Sequence, residues 1–230
     1  MELNHYIDHT LLAPNATSAD IARLCEEARK YDFYAVCVNS GWVHKAKLEL
    51  EGSNTAIASV IGFPLGAQIT TSKAIEAQMS LQAGATEIDM VIALGPLLEG
   101  DDTYVFNDIA EVVKAMNEVK SGALLKVILE TAVLSDDQIV KACELSTAAG
   151  AGFIKTSTGF LDPKLALPGR PTGATTQAVA LMRATVGESL GVKASGGIAT
   201  REQAEALIAA GATRLGTSRS IAICSSPPQS

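Results

Sequence analysis

Several features are scarce in this chain of 230 residues, and each scarcity excludes a class of protein. Aromatic residues make up 4% of the chain and charged residues 19%, and the net charge is -7. No cluster of Lys and Arg is interleaved with aromatic residues, which argues against a nucleic-acid or anionic-membrane surface. No apolar run approaches the roughly 20 residues of a membrane-spanning helix. We therefore expect neither a nucleic-acid partner nor a membrane partner.

Cysteine and histidine are also rare. The four cysteines are widely spaced and form no Cys-x-x-Cys pair, so neither a zinc knuckle nor a disulfide framework is indicated. The spacing of His5, His9 and His44 does not predict a metal site. The N-terminal segment has no basic stretch followed by an apolar run. We expect a soluble, unprocessed cytoplasmic protein with reduced thiols at these positions: Cys25, Cys37, Cys143 and Cys224.

What the chain does have is a regular alternation of short β-rich runs and longer helical patterns. Strands are predicted at residues 6–9, 35–39, 56–62, 87–91, 124–130, 153–156, 191–195 and 214–216. Helices are predicted at residues 18–31, 42–50, 70–83, 103–121, 135–149, 176–186 and 200–210. Strict alternation of this kind predicts an α/β fold with a parallel sheet.

The sequence favours a closed sheet over an open one. An Ala-Gly-Ala triplet precedes a predicted strand three times, at residues 83–85, 149–151 and 210–212, as a repeated helix-turn-strand unit would require. Eight strands without Gly-x-Gly-x-x-Gly favour a single (β/α)8 TIM barrel, with an open doubly wound sheet as the alternative. The barrel is predicted to span residues 1–224, and residues 225–230 are predicted to be a disordered tail.

Two lysines stand at the ends of predicted strands, each followed by hydroxyl residues and glycine: Lys155 in FIKTSTG and Lys193 in VKASGG. A buried ammonium needs a partner, a route to water or a chemical role. Neighbouring strands would bring the two amines close. Two charges about 4 Å apart repel by about 4 kcal/mol at an effective dielectric constant of about 20. That repulsion would make one of the two lysines a neutral nucleophile able to form a Schiff base while the other stays charged, the alternative being that each lysine pairs with a carboxylate.

Asp89 is the candidate proton carrier. It lies near the end of the fourth predicted strand, where alternation places it on the same face as Glu87. At the mouth of a barrel it would reach a substrate hydroxyl directly or through water. The alternative is that Asp89 only neutralises an interior lysine such as Lys126, which we interpret as structural.

Three loops rich in glycine and hydroxyl residues follow the sixth, seventh and eighth predicted strands, at residues 156–159, 195–197 and 216–218. Such loops offer backbone amides to a phosphate group. Barrels often bind phosphate after strands seven and eight with help from a short extra helix, for which residues 218–223 are a candidate. A phosphorylated small-molecule substrate is therefore predicted.

Seven segments of the chain, in the same order as in the family, carry a resemblance to known proteins. They are IDHTLL (7–12), VCVN (36–39), VIGFPLG (60–66), EIDMV (87–91), KVILET (126–131), FIKTSTG (153–159) and VKASGGI (192–198). With them the chain resembles the deoxyribose-phosphate aldolase family, which are class I aldolases with a TIM barrel. The resemblance implies reversible cleavage of 2-deoxy-D-ribose 5-phosphate to acetaldehyde and D-glyceraldehyde 3-phosphate, in deoxyribonucleoside catabolism and without a metal or other cofactor.

The resemblance also assigns residues. Lys155 matches the Schiff-base lysine, Lys193 the lysine that perturbs it, and Asp89 the carboxylate that helps remove the C3 hydroxyl proton. Substrate or phosphate contacts are implied at Thr158, Gly159, Gly196, Gly197, Gly216, Ser218, Asp8 and Thr10. A homodimer is expected only because it is the commonest oligomer.

The chain departs from the family pattern in four ways. Phe160 stands where some members carry a lysine, so phosphate binding is expected to depend on amides and hydroxyls. Arg219 occupies a position that is often small or hydroxylated. No tyrosine follows Tyr104, although some members end in a tyrosine that folds over the site. The link at residues 161–171 is longer than expected, which would alter access to the mouth.

Two other functions remain open at this point. A different lysine-dependent phosphosugar aldolase would share the Schiff base but differ in substrate length and hydroxyl pattern. A non-catalytic phosphate-binding barrel would keep both lysines ion-paired and would form no covalent adduct.

Overall fold

Parallel strands joined by helices run through the whole of the computed structural model, which describes residues 2–225. The strands are β1 (Ile7–Leu11), β2 (Ala35–Asn39), β3 (Ala56–Ile61), β4 (Glu87–Val91), β5 (Leu124–Ile128), β6 (Phe153–Lys155), β7 (Gly191–Ser195) and β8 (Arg214–Thr217). They pair in sequence order, and β1 also pairs with β8. The sheet is therefore a closed barrel, which confirms the predicted (β/α)8 fold and excludes the open sheet.

Helices follow the strands in sequence, and the last of them comes after β8. They are α1 (Ser18–Tyr31), α2 (Val43–Glu49), α3 (Thr70–Ala83), α4 (Leu94–Glu99), α5 (Asp102–Val119), α6 (Asp136–Ala148), α7 (Thr176–Val186), α8 (Arg201–Ala209) and α9 (Ser220–Ser225). Single 3-10 turns occur at Leu3–Tyr6, Ser40–Trp42, Thr131–Val133 and Pro163–Leu165. Among residues 2–225 there is no helix with the length and apolar character needed to cross a bilayer.

Helix starts follow the capping pattern of the sequence. Thr17 and Ser135 each accept a hydrogen bond from the backbone three residues later, and the side chain at that position returns one. Both are capping boxes, which satisfy two amides that the first turn of a helix leaves unpaired. The Ala-Gly-Ala triplets lie where predicted, at the ends of α3, α6 and α8 before the next strand.

Several element boundaries differ from the predicted ones by one or two residues, and two of these differences have a clear backbone cause. β1 begins at Ile7 because Leu3–Tyr6 forms a 3-10 turn. β5 ends at Ile128, two residues early, because the backbone turns left-handed at Glu130. The short helix α4 was not predicted. Ser225, the first residue of the predicted tail, ends α9, and residues 226–230 lie outside the described part of the chain.

The barrel has two layers of buried side chains with different chemistry. Outward-facing strand residues such as Ile88, Met90 and Val127 are fully buried among the helices and form the apolar core. Alternation turns the residues between them, such as Asp89 and Lys126, into the barrel interior. Burial of the apolar layer drives folding, and the interior carries the charged groups.

Substitution of Gly66, in the loop after β3, tests how tightly the barrel mouth is packed. Its φ is +68°, and a Cβ there would lie 2.1 Å from the Ile92 carbonyl oxygen. We expect Gly66→Ala to lower the free energy of unfolding by about 3 kcal/mol or more, from left-handed strain plus overpacking. Gly52→Ala is the matched control, since Gly52 has a φ of +75° with no atom within 4 Å of a Cβ. It should cost only about 1–2 kcal/mol. Equal urea midpoints for the two variants would contradict the packing described here.

Candidate active site

Charged side chains from six of the eight strands meet inside the barrel. We call them the charge cluster. Each is buried, and together they comprise four basic and three acidic groups. The members are Asp8 on β1, Glu87 and Asp89 on β4, Lys126 on β5, Lys155 on β6, Lys193 on β7 and Arg214 on β8.

Asp89 holds three lysines at once. Its Oδ1 accepts a hydrogen bond from Lys126 Nζ at 2.8 Å. Its Oδ2 accepts from Lys155 Nζ at 2.9 Å and from Lys193 Nζ at 2.8 Å. Lys155 and Lys193 are also direct register partners on β6 and β7, as predicted. The structure therefore shows both the close approach of the two amines and the carboxylate pairing that was its alternative.

The rest of the charge cluster closes around Asp8 and Glu87. Asp8 accepts from Lys193 and, at 2.8 Å, from Arg214. Glu87 pairs with Lys126 at 2.5 Å and with Arg214 at 3.2 Å. The Arg214 guanidinium also lies 3.5 Å from the centroid of the Tyr34 ring, in cation–π geometry. A continuous network of ion pairs thus extends from the amine of Lys155 to Arg214, and the cation–π contact continues it to Tyr34.

Ion pairing outweighs burial for these groups. Burial alone would raise the pKa of Asp89, but the charges of Lys126, Lys155 and Lys193 hold that pKa well below its ordinary value. Burial would likewise raise the pKa of Asp8, but the charges of Lys193, Lys126 and Arg214 lower that pKa below its ordinary value. In the opposite sense, burial disfavours the ammonium of Lys193, and Asp8 and Asp89 raise its pKa. At neutral pH these carboxylates are ionised and Lys193 is charged.

A cavity of about 600 Å³ opens at the carboxyl ends of β1, β6, β7 and β8. Lys155 lines it, whereas Asp89, Lys193 and Asp8 are fully buried and do not. Seven other predicted positions also line the cavity: Thr10, Thr158, Gly159, Gly196, Gly197, Gly216 and Ser218. Among the described members of the charge cluster, Lys155 alone reaches this cavity.

Gly216 has a packing role in addition to its place at the cavity. A Cβ there would lie 3.0 Å from Lys193 Cε and 3.1 Å from Ser195 Cβ. Those distances are tighter than ordinary contacts, so a side chain at Gly216 would displace Lys193. The glycine that was predicted for phosphate binding also keeps space for the second lysine.

Two departures from the family pattern lie at the rim of the cavity. Phe160 packs edge-on against Phe63, with ring centroids 5.3 Å apart and an interplanar angle of 80°. Arg219 is exposed and lines the cavity. The rim therefore combines an aromatic edge with one basic side chain.

Some assignments made from the sequence need correction. Asp8 was expected to line the pocket, but it is fully buried and pairs with Lys193 and Arg214, because strand alternation turns it into the interior. The structural interpretation of Lys126 needs no correction, because Lys126 is fully buried and pairs with Asp89, as the alternative for Asp89 expected. Arg214 was missed altogether, although its spacing of two from Gly216 places it on the same face of β8.

Cys37 and His9 are both buried and have structural contacts. Cys37 packs with Leu12, Ala58 and Val60, and burial raises the pKa of its thiol. His9 is hydrogen-bonded to Glu27 and to Ser220, each at 2.8 Å. In residues 2–225, no three His, Cys, Asp or Glu side chains are grouped as metal ligands would be.

Asp89→Asn removes the charge that holds the three lysines and keeps the shape of the side chain. We expect it to lower the free energy of unfolding at pH 7 by about 3–5 kcal/mol, since it leaves buried ammonium groups underpaired. Because the folded pKa of Asp89 is depressed, its stabilisation is present above the unfolded value and is lost as pH falls. Below about pH 3.9 the difference in free energy of unfolding between the variant and the wild type should narrow by about 1.4 kcal/mol per pH unit.

The matched control is Asp102→Asn, at an exposed pair with Lys141 3.4 Å away, which should cost less than about 1 kcal/mol. Urea unfolding of both variants at pH 7 and pH 3 makes the comparison. If Asp89→Asn were no more costly than the control at pH 7, the charge cluster would not stabilise the barrel as described.

The geometry can be compared with known proteins. Deoxyribose-phosphate aldolases of Bacillus cytotoxicus and Bacillus cereus are each 51% identical to this chain, over 97% of it and 95% of theirs. A solved structure assigned as a deoxyribose-phosphate aldolase, from Coccidioides immitis, is 41% identical with a TM-score of 0.89, covering 97% of this chain and 84% of that one.

A deoxyribose phosphate aldolase from Aeropyrum pernix, described as tetrameric, is 34% identical with a TM-score of 0.86, over 96% of this chain and 89% of that one. The family model described as DeoC/LacD family aldolase matches residues 3–225, which is the whole barrel. Family match, relatives and fold agree over nearly the full length, and the chain belongs to the DeoC/LacD family of aldolases.

Proposed function

We propose that this enzyme catalyses the reversible retro-aldol cleavage of 2-deoxy-D-ribose 5-phosphate to acetaldehyde and D-glyceraldehyde 3-phosphate, through a Schiff base on Lys155. The observation that carries the proposal is that Lys155 brings a buried charge cluster to the wall of a cavity lined by glycine loops. The names of its half-identical relatives supply the substrate.

Charge balance explains why Lys155 is the nucleophile. The cluster has four basic and three acidic groups, so one positive charge is in excess when all are ionised. Lys155 has one carboxylate partner, whereas Lys126 has three and Lys193 has two. Loss of a proton from Lys155 removes the fewest ion pairs and leaves the other six charges balanced. The neutral amine is the form that attacks a carbonyl.

Lys193 has a different role here from the one predicted for it. Its charge was expected to repel a proton from Lys155, yet Asp8 and Asp89 neutralise much of that charge. We therefore attribute the effect on the Lys155 amine to the excess positive charge of the whole cluster and not to repulsion from Lys193 alone. Lys193 contributes as the register partner of Lys155 on β7.

The proposed chemistry begins when the Lys155 amine adds to the C1 aldehyde and water leaves, which gives an iminium ion. Removal of the C3 hydroxyl proton then breaks the C2–C3 bond, and the bonding electrons move into the iminium to form an enamine. D-glyceraldehyde 3-phosphate departs, the enamine is protonated at C2, and hydrolysis frees acetaldehyde and the amine. The iminium is the electron sink, so the scheme uses no other cofactor.

Asp89 is the proposed proton carrier at the C3 hydroxyl. Because it is fully buried and does not line the cavity, it would act on that hydroxyl through a bridging water. Its low pKa makes it a weak base while three lysines face it. Its proton affinity rises as the Lys155 nitrogen loses its positive charge, which happens when cleavage of the C2–C3 bond converts the cationic iminium into a neutral enamine.

We assign the phosphate to the loops after β6, β7 and β8. Thr158, Gly159, Gly196, Gly197 and Ser218 line that side of the cavity, where backbone amides and hydroxyls can bind an anion. Arg219 on the same rim would add a positive charge that a polar loop alone lacks. A cavity of about 600 Å³ is within the usual range for a small-molecule site.

We also propose a cytoplasmic, homodimeric enzyme. Cys25, Cys37 and Cys143 are buried free thiols, which fit a reducing compartment. The tetramer described for the Aeropyrum pernix relative belongs to that protein, and the dimer is our expectation from symmetry statistics alone.

Borohydride trapping tests the proposed function. Treatment with 2-deoxyribose 5-phosphate and borohydride should leave one reduced adduct on the peptide that contains Lys155, as read by mass spectrometry. Lys155→Met should abolish the adduct and lower turnover by at least about a thousandfold. Lys164→Met, an exposed lysine on the loop after β6, is the matched control and should behave as wild type.

Other outcomes separate the alternatives. An adduct that persists in Lys155→Met would contradict the assignment of the nucleophile. No adduct on any lysine would favour a non-catalytic phosphate-binding barrel. Products other than acetaldehyde and D-glyceraldehyde 3-phosphate would indicate a different phosphosugar aldolase.

A further inference from the structure

Glu130 combines two unfavourable features at one buried residue. Its φ and ψ are 56° and 60°, in the left-handed region that side-chain-bearing residues seldom occupy. Among residues 2–225, Asp32 is the other non-glycine residue with positive φ, and it is the C-cap of α1. Glu130 ends no helix and instead directly precedes the 3-10 turn at Thr131–Val133. It lies two residues beyond β5, next to the strand that carries Lys155.

The Glu130 carboxylate is buried, and only one of its two oxygens accepts hydrogen bonds. Glu130 is 2% exposed, and its Oε1 has no hydrogen-bond partner. Burial raises the pKa of the carboxyl group, whereas its hydrogen bonds with Thr158 and the charge of Lys155 act in the opposite direction. A strained backbone and an unpaired buried oxygen are both costly, and such costs concentrate at functional sites.

The other carboxylate oxygen holds the loop after β6. Glu130 Oε2 accepts a hydrogen bond from the Thr158 backbone N at 3.2 Å and a shorter one from Thr158 Oγ1. Thr158 Oγ1 in turn accepts from the Phe160 backbone N at 3.0 Å. The carboxylate thus fixes residues 158–160 through two successive contacts, three residues beyond Lys155.

Residues 158–160 form one wall of the cavity. Thr158, Gly159 and Phe160 all line it, on the side that we assign to the phosphate. The Phe160 ring packs against Phe63, so the far end of this loop is held by an aromatic contact. Its near end is held by Glu130. Loss of the carboxylate would leave the amides of this wall free to move away from an anion.

We infer that Glu130 is a positioning residue that fixes the wall at residues 158–160 and thereby sets the affinity for phosphorylated substrates. This inference rests on the proposed function, because the wall matters only if the cavity takes a phosphorylated aldehyde. Glu130 acts through Thr158 and takes no part in the bond-breaking step.

Glu130→Gln and Glu130→Gly test the inference. We expect Glu130→Gln to raise KM for 2-deoxyribose 5-phosphate about tenfold, since the hydrogen bonds from Thr158 lose their charge assistance, with kcat nearly unchanged. For 2-deoxyribose, which lacks the phosphate, kcat/KM should stay close to wild type. Glu130→Gly removes both the carboxylate and the left-handed strain, so it should raise KM at least as much without lowering the thermal unfolding midpoint.

Asp162→Asn is the matched control. Asp162 is an exposed carboxylate on the same loop that accepts from the Lys164 backbone N at 3.0 Å, and its substitution should leave KM unchanged. A purely structural role for Glu130 would instead lower the unfolding midpoint in both variants and reduce activity equally on the two substrates. Equal losses, or an unchanged KM, would overturn the inference.

Borohydride trapping in the same variants separates the two proposals. An adduct on Lys155 in wild type and in both Glu130 variants, together with an unchanged KM, would overturn only the role of Glu130. No adduct in wild type would overturn the proposed function on which that role depends.

Discussion

Mutual neutralisation of buried charge is the constraint on which the rest of this structure depends. Seven ionisable side chains point into the barrel, where an unpaired charge would be far more costly than in water. They are tolerated because each carboxylate faces two or three basic groups. Asp89 is the centre of this arrangement, since it alone contacts Lys126, Lys155 and Lys193 together.

The same constraint connects the fold to the proposed chemistry. Closure of β8 onto β1 brings Arg214 beside Asp8, and the register of β6 with β7 brings Lys155 beside Lys193. One basic group more than the carboxylates can balance is thereby placed in the interior. Lys155 is the member with a single carboxylate partner and with access to the cavity. In this account reactivity is a property of the whole charge cluster.

Much of the fold follows from local patterns in the sequence, whereas the site depends on contacts between distant strands. Alternation and capping predict the elements, and the strand-end positions of Lys155 and Lys193 follow from their motifs. Pairing of Lys193 with Asp8, 185 residues away, has no local signal. The left-handed backbone at Glu130 is equally unpredictable from the sequence, because glycine is the residue that normally indicates that conformation.

The central claim is that the net charge of the cluster governs the amine of Lys155. The most direct test is the pH at which borohydride trapping reaches its half-maximal rate in Glu87→Gln and in Arg214→Met. Removing a negative charge disfavours the ammonium, so Glu87→Gln should move that pH down by about one unit, and removing the positive charge of Arg214 should move it up by a similar amount. Shifts in the same direction, or no shift in either variant, would contradict the account.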